Sequence, residues 1–133
     1  MRDSKPRVVV ADDHPGMLDA VINLLQHNGY NVVAAVKDGA SAVDAVIDLD
    51  PDLTVLDISM PRMDGLAAGQ AIRHKGLRTK ILFLTIQSGR EYVDAARALN
   101  AGYVAKSHLY SDLLPTIADW LAEDFPARQT VTC

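Results

Sequence analysis

The chain has 133 residues, 49% of them hydrophobic, which suits one domain with a full core and leaves no room for a second. Lys and Arg total 13 against 17 Asp and Glu, a formal charge of −4, so the positive footprint of a direct nucleic-acid binder is missing. Cys133 is the single cysteine, which excludes an internal disulfide or a cysteine metal site and suits a reducing compartment; with a first apolar run broken at Asp12 and no stretch of membrane-spanning length, the expected location is the cytoplasm, away from any membrane.

Strand-like apolar runs recur along the chain, each followed by a helical pattern. The first, Val8 to Ala11, ends in Asp12-Asp13. Pro15 then opens a helix carrying Met17, Leu18, Val21, Ile22 and Leu25, and Gly29 stands where a helix stop prefers glycine. Val32 to Val36 precedes a helix with Ala42, Val43, Ala45, Val46 and Leu49, which ends before Pro51. Leu53 to Leu56 runs into Asp57, and a third helix starts at about Gly65 and carries Leu66 and Ile72. Ile81 to Leu84 precedes a helix with Tyr92, Val93, Ala96 and Leu99 that is expected to stop near Gly102. Tyr103 to Ala105 is the fifth run, followed by a helix with Ser111 as candidate N-cap, Pro115 in its first turn, and Leu114, Ile117 and Leu121 on one face.

Five strands alternating with five helices predict an α/β domain built on a parallel sheet with right-handed crossovers. A dinucleotide fold needs a glycine-rich turn after the first strand, but Asp12-Asp13-His14-Pro15-Gly16 would repel phosphate. The flavodoxin-like alternative puts its crevice at the carboxyl ends of strands one and three, where Asp12, Asp13 and Asp57 lie. Carboxylates converging there repel and raise one another's pKa. A hard divalent ion, Mg²⁺ above all, would relieve that repulsion and hold a phosphoryl group against a nucleophilic carboxylate.

Asp12-Asp13, then Asp57 in Asp57-Ile58-Ser59-Met60-Pro61-Arg62-Met63-Asp64-Gly65, then Thr85, Tyr103 and Lys106 form an ordered set. It resembles the receiver domain of two-component response regulators over residues 7 to about 122. The resemblance implies a flavodoxin-like (βα)5 three-layer sandwich with sheet order 2-1-3-4-5, a receiver over residues 1–125, and a tail or linker start over 126–133. It implies phosphoryl transfer from a histidine kinase's phosphohistidine to Asp57, a reaction the domain catalyses only on itself. Asp12, Asp13, Asp57 and the Ser59 backbone carbonyl would hold Mg²⁺, and Lys106 would pair with Asp57 and then with phosphoryl oxygen. Thr85 and Tyr103 would form the switch, hydroxyl capture of phosphate accompanying inward rotation of the ring. Ser59 and Gln87 would flank the water that hydrolyses the acyl phosphate.

Two positions depart from common receivers: Ser107 follows Lys106 where proline is frequent, and bulky Ile86 follows Thr85. His14 reads as a loop or helix-start residue rather than a ligand. Asp12-Asp13-His14-Pro15 and Gly102-Tyr103-Val104-Ala105-Lys106-Ser107 look most like receivers that precede a LuxR-type helix-turn-helix output domain. The expected partners are a sensor histidine kinase and a second copy of the chain, through either the face of helices four and five or that of helices one and five; a stand-alone phosphate shuttle is the alternative. A haloacid-dehalogenase-type phosphohydrolase would need Asp-x-Asp on the nucleophile strand, but Ile58-Ser59 follows Asp57. A flavin or nucleotide module is opposed by the acidic first turn.

Overall fold

The computed structural model describes residues 5–86 and 90–122. Gln87 and the tail from 126 to 133 lie outside the described residues. Five strands, β1 (Arg7–Ala11), β2 (Asn31–Val36), β3 (Leu53–Asp57), β4 (Lys80–Thr85) and β5 (Ala101–Ala105), form one parallel sheet in the order β2-β1-β3-β4-β5. Every residue of β3 and β4 is buried, as a strand covered on both faces requires, whereas the edge strand β2 has no buried residue.

Helices α1 (Pro15–Gln26) and α5 (Leu109–Ala122) cover one face of the sheet; α2 (Gly39–Leu49), α3 (Gly65–His74) and α4 (Arg90–Ala98) cover the other. The two-residue period of the strands separates the cores. Leu82 and Leu84 join Leu18, Val21, Leu25, Leu113 and Ile117 on the first face, while Ile81 and Phe83 join Val43, Val46, Ala68, Ile72 and Ala96 on the second. This is the anticipated three-layer sandwich.

Helix ends follow local chemistry. His14 caps α1 by accepting the Met17 N–H at 3.2 Å, Asp38 caps α2 and Asp64 caps α3. Beyond the carboxyl ends of α1 to α4 the chain reverses through left-handed residues: Gly29 (φ +92°), Asp50 (φ +49°), Gly76 (φ +75°) and Asn100 (φ +55°).

Three local expectations are corrected. Gly102 does not stop the fourth helix, because Asn100 takes the left-handed position and β5 already starts at Ala101. A Cβ at Gly102 would instead press on Leu82 and approach the Trp120 ring, so this glycine is selected by packing. Ser111 is not an N-cap: α5 begins at Leu109, after a 3-10 turn over Lys106–His108, because Leu109, Leu113 and Ile117 make the buried stripe. Pro115 therefore falls well inside the helix; it is exposed, on the side where water can serve the carbonyl its missing N–H leaves behind.

Candidate functional site

The parallel register brings the ends of β1 and β3 together, pairing Ala11 with Leu56, so the next residues, Asp12 and Asp57, emerge side by side. One carboxylate oxygen each from Asp12, Asp13 and Asp57 lies within 4.8 Å of the others. Asp12 and Asp57 are 1% and 3% exposed, while Asp13 faces solvent. Lys106, at the end of β5, reaches across the top of the sheet, its Nζ 2.9 Å from Asp12 Oδ2 and 3.3 Å from Asp57 Oδ2. The Lys106–Ser107 peptide is trans, since no cis bond occurs among the described residues.

The local turns aim these groups. Asp12 Oδ1 accepts the His14 N–H at 2.9 Å, and Asp57 Oδ1 accepts the Ser59 N–H at 3.3 Å. Asp12 Oδ2 is buried and has no well-aligned hydrogen bond; among the described residues the ammonium of Lys106 is its close counter-charge. Burial above all, and next the charge of Asp12, push the Asp57 carboxyl up to about 6, against the opposing pull of Lys106 and the Ser59 N–H. Two nearly buried carboxylates that share one ammonium, with an exposed third beside them, form an all-oxygen donor set with a buried acceptor oxygen short of donors. That chemistry fits a hard divalent cation.

Gly65 belongs to this site although it carries no side chain. Its N–H donates to the Ile58 carbonyl at 2.8 Å, and a Cβ there would overlap the Asp57 carbonyl oxygen, so the start of α3 presses directly on the strand end that bears the acid.

Thr85 is fully buried at the end of β4, beside Ala105, and Tyr103 is half-buried opposite Phe83. Both lie on the α2–α3–α4 side, Thr85 by its parity with Ile81 and Phe83. Tyr92 of α4 and Tyr103 pack against the same core, and burial first, and then Tyr92, raise the Tyr103 hydroxyl pKa. Ile86 is 73% exposed, so its bulk meets solvent rather than Thr85's surroundings. His14 is the α1 cap, as anticipated.

Sequence reasoning missed one ion pair next to the site. Asp38, before α2, takes Arg62 Nη2 at 2.7 Å, joining the β2–α2 turn to the loop that follows Asp57. The Arg62 guanidinium first, and then the Ser41 N–H, pull the Asp38 carboxyl down to about 2. The only local signal was Asp38 itself, an aspartate three residues before Ser41 in an N-cap position.

A family profile described as the response regulator receiver domain matches residues 8–118. A putative transcriptional regulator of Pseudomonas aeruginosa is 36% identical over 111 residues, covering 81% of this chain and 53% of that protein. The probable transcriptional regulatory protein NarL of Mycobacterium tuberculosis is 33% identical over 117 residues, covering 86% of this chain and 54% of its own length. The chain thus spans about half the length of these curated relatives. The solved signal receiver domain of the putative response regulator NarL from Mycobacterium tuberculosis superposes with a TM-score of 0.84 at 31% identity, covering 90% of this chain and 98% of that one. With the sheet order and the strand-end acids already in place, the chain belongs to the receiver-domain family of two-component response regulators.

Proposed function

We propose that Asp57 is the phosphoacceptor of a signalling switch fed by a sensor histidine kinase. The observation that carries the reading is the position of its carboxylate: 3% exposed, at the end of a central strand, 3.3 Å from Lys106 and within one 4.8 Å cluster with Asp12 and Asp13. An Asp57 oxygen attacks the phosphorus of a phosphohistidine. The O–P bond forms as the P–N bond breaks, and the electron pair leaves with the imidazole nitrogen, giving an acyl phosphate. Lys106 is already paired with Asp57 and can follow the growing negative charge onto phosphoryl oxygen.

Asp12, Asp13, Asp57 and the Ser59 carbonyl are the residues that would hold Mg²⁺. When bound, the ion supplies charge neutralisation for the carboxylates and the transferred phosphoryl group. Thr85 and Tyr103 are the proposed relay, through α4 and β5, to a homodimer or another partner; a partner shifts the switch only by contacting one state better than the other. The receiver is assigned to residues 1–125, with 126–133 a tail or linker start. The output is proposed to be transcription, as the names of relatives about twice this chain's length support, with a stand-alone phosphate shuttle or protein-interaction module as the alternative.

Incubation with Mg²⁺ and acetyl phosphate, read by intact mass, tests the assignment. Wild type should gain one phosphate and Asp57→Ala none. A phosphate adduct on Asp57→Ala at wild-type yield would defeat it. Mg²⁺ uptake is best followed by calorimetry, because Trp120 sits beside Ile81 at the opposite end of the sheet.

A further inference from the structure

The loop from Ile58 to Asp64, which carries Ser59, is tied down at two points. Its neck is closed by the Gly65 N–H on the Ile58 carbonyl at 2.8 Å. Its tip is held by the start of α2. There the Gly39 N–H donates to the Met63 carbonyl at 2.9 Å, and a Cβ at Gly39 would overlap that same oxygen, so helix and loop are in direct backbone contact.

Asp38 completes the tip. Its Oδ1 accepts the Ser41 N–H at 2.7 Å and so caps α2, while its Oδ2 accepts Arg62 Nη2, also at 2.7 Å. One carboxylate thereby fixes a helix end and a loop together. Arg62 takes up this pairing from the centre of a three-residue turn, closed by the Met63 N–H on the Pro61 carbonyl at 2.7 Å, with a positive φ (+67°) that is uncommon for a residue with a long side chain. A residue held in such a conformation, reaching back to a helix cap, indicates a constraint on the loop between its two anchors. Ser59 lies in that interval.

We propose that Asp38 and Arg62 form a latch that keeps the Ile58–Asp64 loop in the shape required for Mg²⁺ binding, acting as positioning residues rather than ligands. The inference rests on the Mg²⁺-assisted phosphoacceptor reading above. The Arg62 side chain is 71% exposed, so the pair is screened by water, and its effect on affinity is about two- to fivefold.

The sign of the effect separates positioning from simple electrostatics. Removing a guanidinium near a cation site would, through the field alone, tighten Mg²⁺ binding. Loss of the latch weakens it. Arg62→Asn removes the guanidinium while keeping a residue that tolerates a positive φ, and Asp38→Asn removes the charge while keeping a good helix cap. Mg²⁺ is titrated calorimetrically into wild type, R62N, R62K, D38N and the double variant D38N/R62N, and amide exchange of residues 58–65 is followed without metal. The expected result is about two- to fivefold weaker Mg²⁺ binding in each Asn variant, no further loss in the double variant, and partial recovery in R62K. Exchange in the loop should rise in both single Asn variants, and the difference from wild type should shrink at high salt. Equal or tighter binding in R62N, or losses that add in the double variant, overturns the latch while leaving the site intact. Absence of Mg²⁺ uptake by wild type overturns the site reading and this inference with it.

Discussion

At the carboxyl end of the sheet, three carboxylates lie within 5 Å of one another and two of them pair with one lysine; at the amino end, among the described residues, Arg73 and Arg7 are paired with backbone carbonyls. Arg73 is the clearest case: Nε donates to the Leu99 carbonyl at 2.9 Å, and Nη1 donates to the Thr79 carbonyl at 2.8 Å and the Leu77 carbonyl at 3.2 Å. One side chain thus ties the end of α3 to the entries of β4 and β5. Arg7 plays a similar part at β1, its Nη1 donating to the Leu49 carbonyl at 2.6 Å and its backbone N–H to Asp52 Oδ2 at 2.8 Å. Thr54 and Thr79 pair their buried hydroxyls at 2.9 Å beneath them. The contrast teaches where each end spends its charge. Matched groups hold the layers together, whereas the crowded acids work against folding, as is expected of a site that the proposed cation and phosphoryl group would complete.

Substitutions should therefore act with opposite sign at the two ends. The largest effect on stability is expected from Arg73→Ala, which strands several carbonyl groups at once and should cost about 3 kcal/mol in urea unfolding. Asp57→Asn, in metal-free buffer, should unfold at the same or higher urea concentration than wild type, because it removes a buried charge facing Asp12. If Asp57→Asn proved the more damaging of the two, the contrast between the ends would collapse.

A pH series sharpens the same point. The Asp57 carboxyl is raised from 3.8 to about 6 in the fold, so between those values the folded state binds more protons than the unfolded chain. Stability from this group is then fully present below about pH 4 and is lost as pH rises through about 6, a change on the order of 3 kcal/mol. Comparing wild type with Asp57→Asn by urea unfolding in metal-free buffer isolates this component from the other acids. The decline should be present in wild type, missing in the variant, and suppressed by saturating Mg²⁺. A wild-type profile that parallels Asp57→Asn across this window would show that burial and Asp12 do not strain the carboxyl.

The smallest effect is expected at Trp120. Its Nε1 donates to the Ile81 carbonyl at 3.0 Å, and the Lys80 ammonium lies 5.2 Å from the ring centroid. Trp120→Phe keeps an aromatic face but loses the donor, and should cost about 1 kcal/mol without changing phosphorylation by acetyl phosphate. A change in phosphorylation yield would mean that the two ends of the sheet are coupled more tightly than this division allows.

The apolar runs were legible because strand and helix periods are local, and an aspartate directly after a buried strand stands out on the same scale. From these came the five alternating units and the candidate acids. Asp12, Asp13, Asp57 and Lys106 could be anticipated to converge because parallel strands must send their carboxyl ends to one edge. Gly102 could not be read correctly, since a glycine that ends a helix and a glycine that admits the Leu82 side chain look alike along the chain. Ser111 and Pro115 misled for a related reason: the start of α5 is set by burying Leu109 against the sheet, not by the first residue able to cap.

Sequence alone therefore determined the alternation of strands and helices and the acids at the strand ends, because these follow from periodicity and chain direction, whereas the sheet order and the place of Lys106 over the acids were implied by the resemblance to receiver domains. Only the tertiary structure decided how the charges are matched. It brought Arg62 to Asp38 across 24 residues and Arg73 to Leu99 across 26, and it left Asp12 Oδ2 buried without a well-aligned donor. Pairings between distant residues depend on where loops close in space, and no local pattern in the chain encodes that closure.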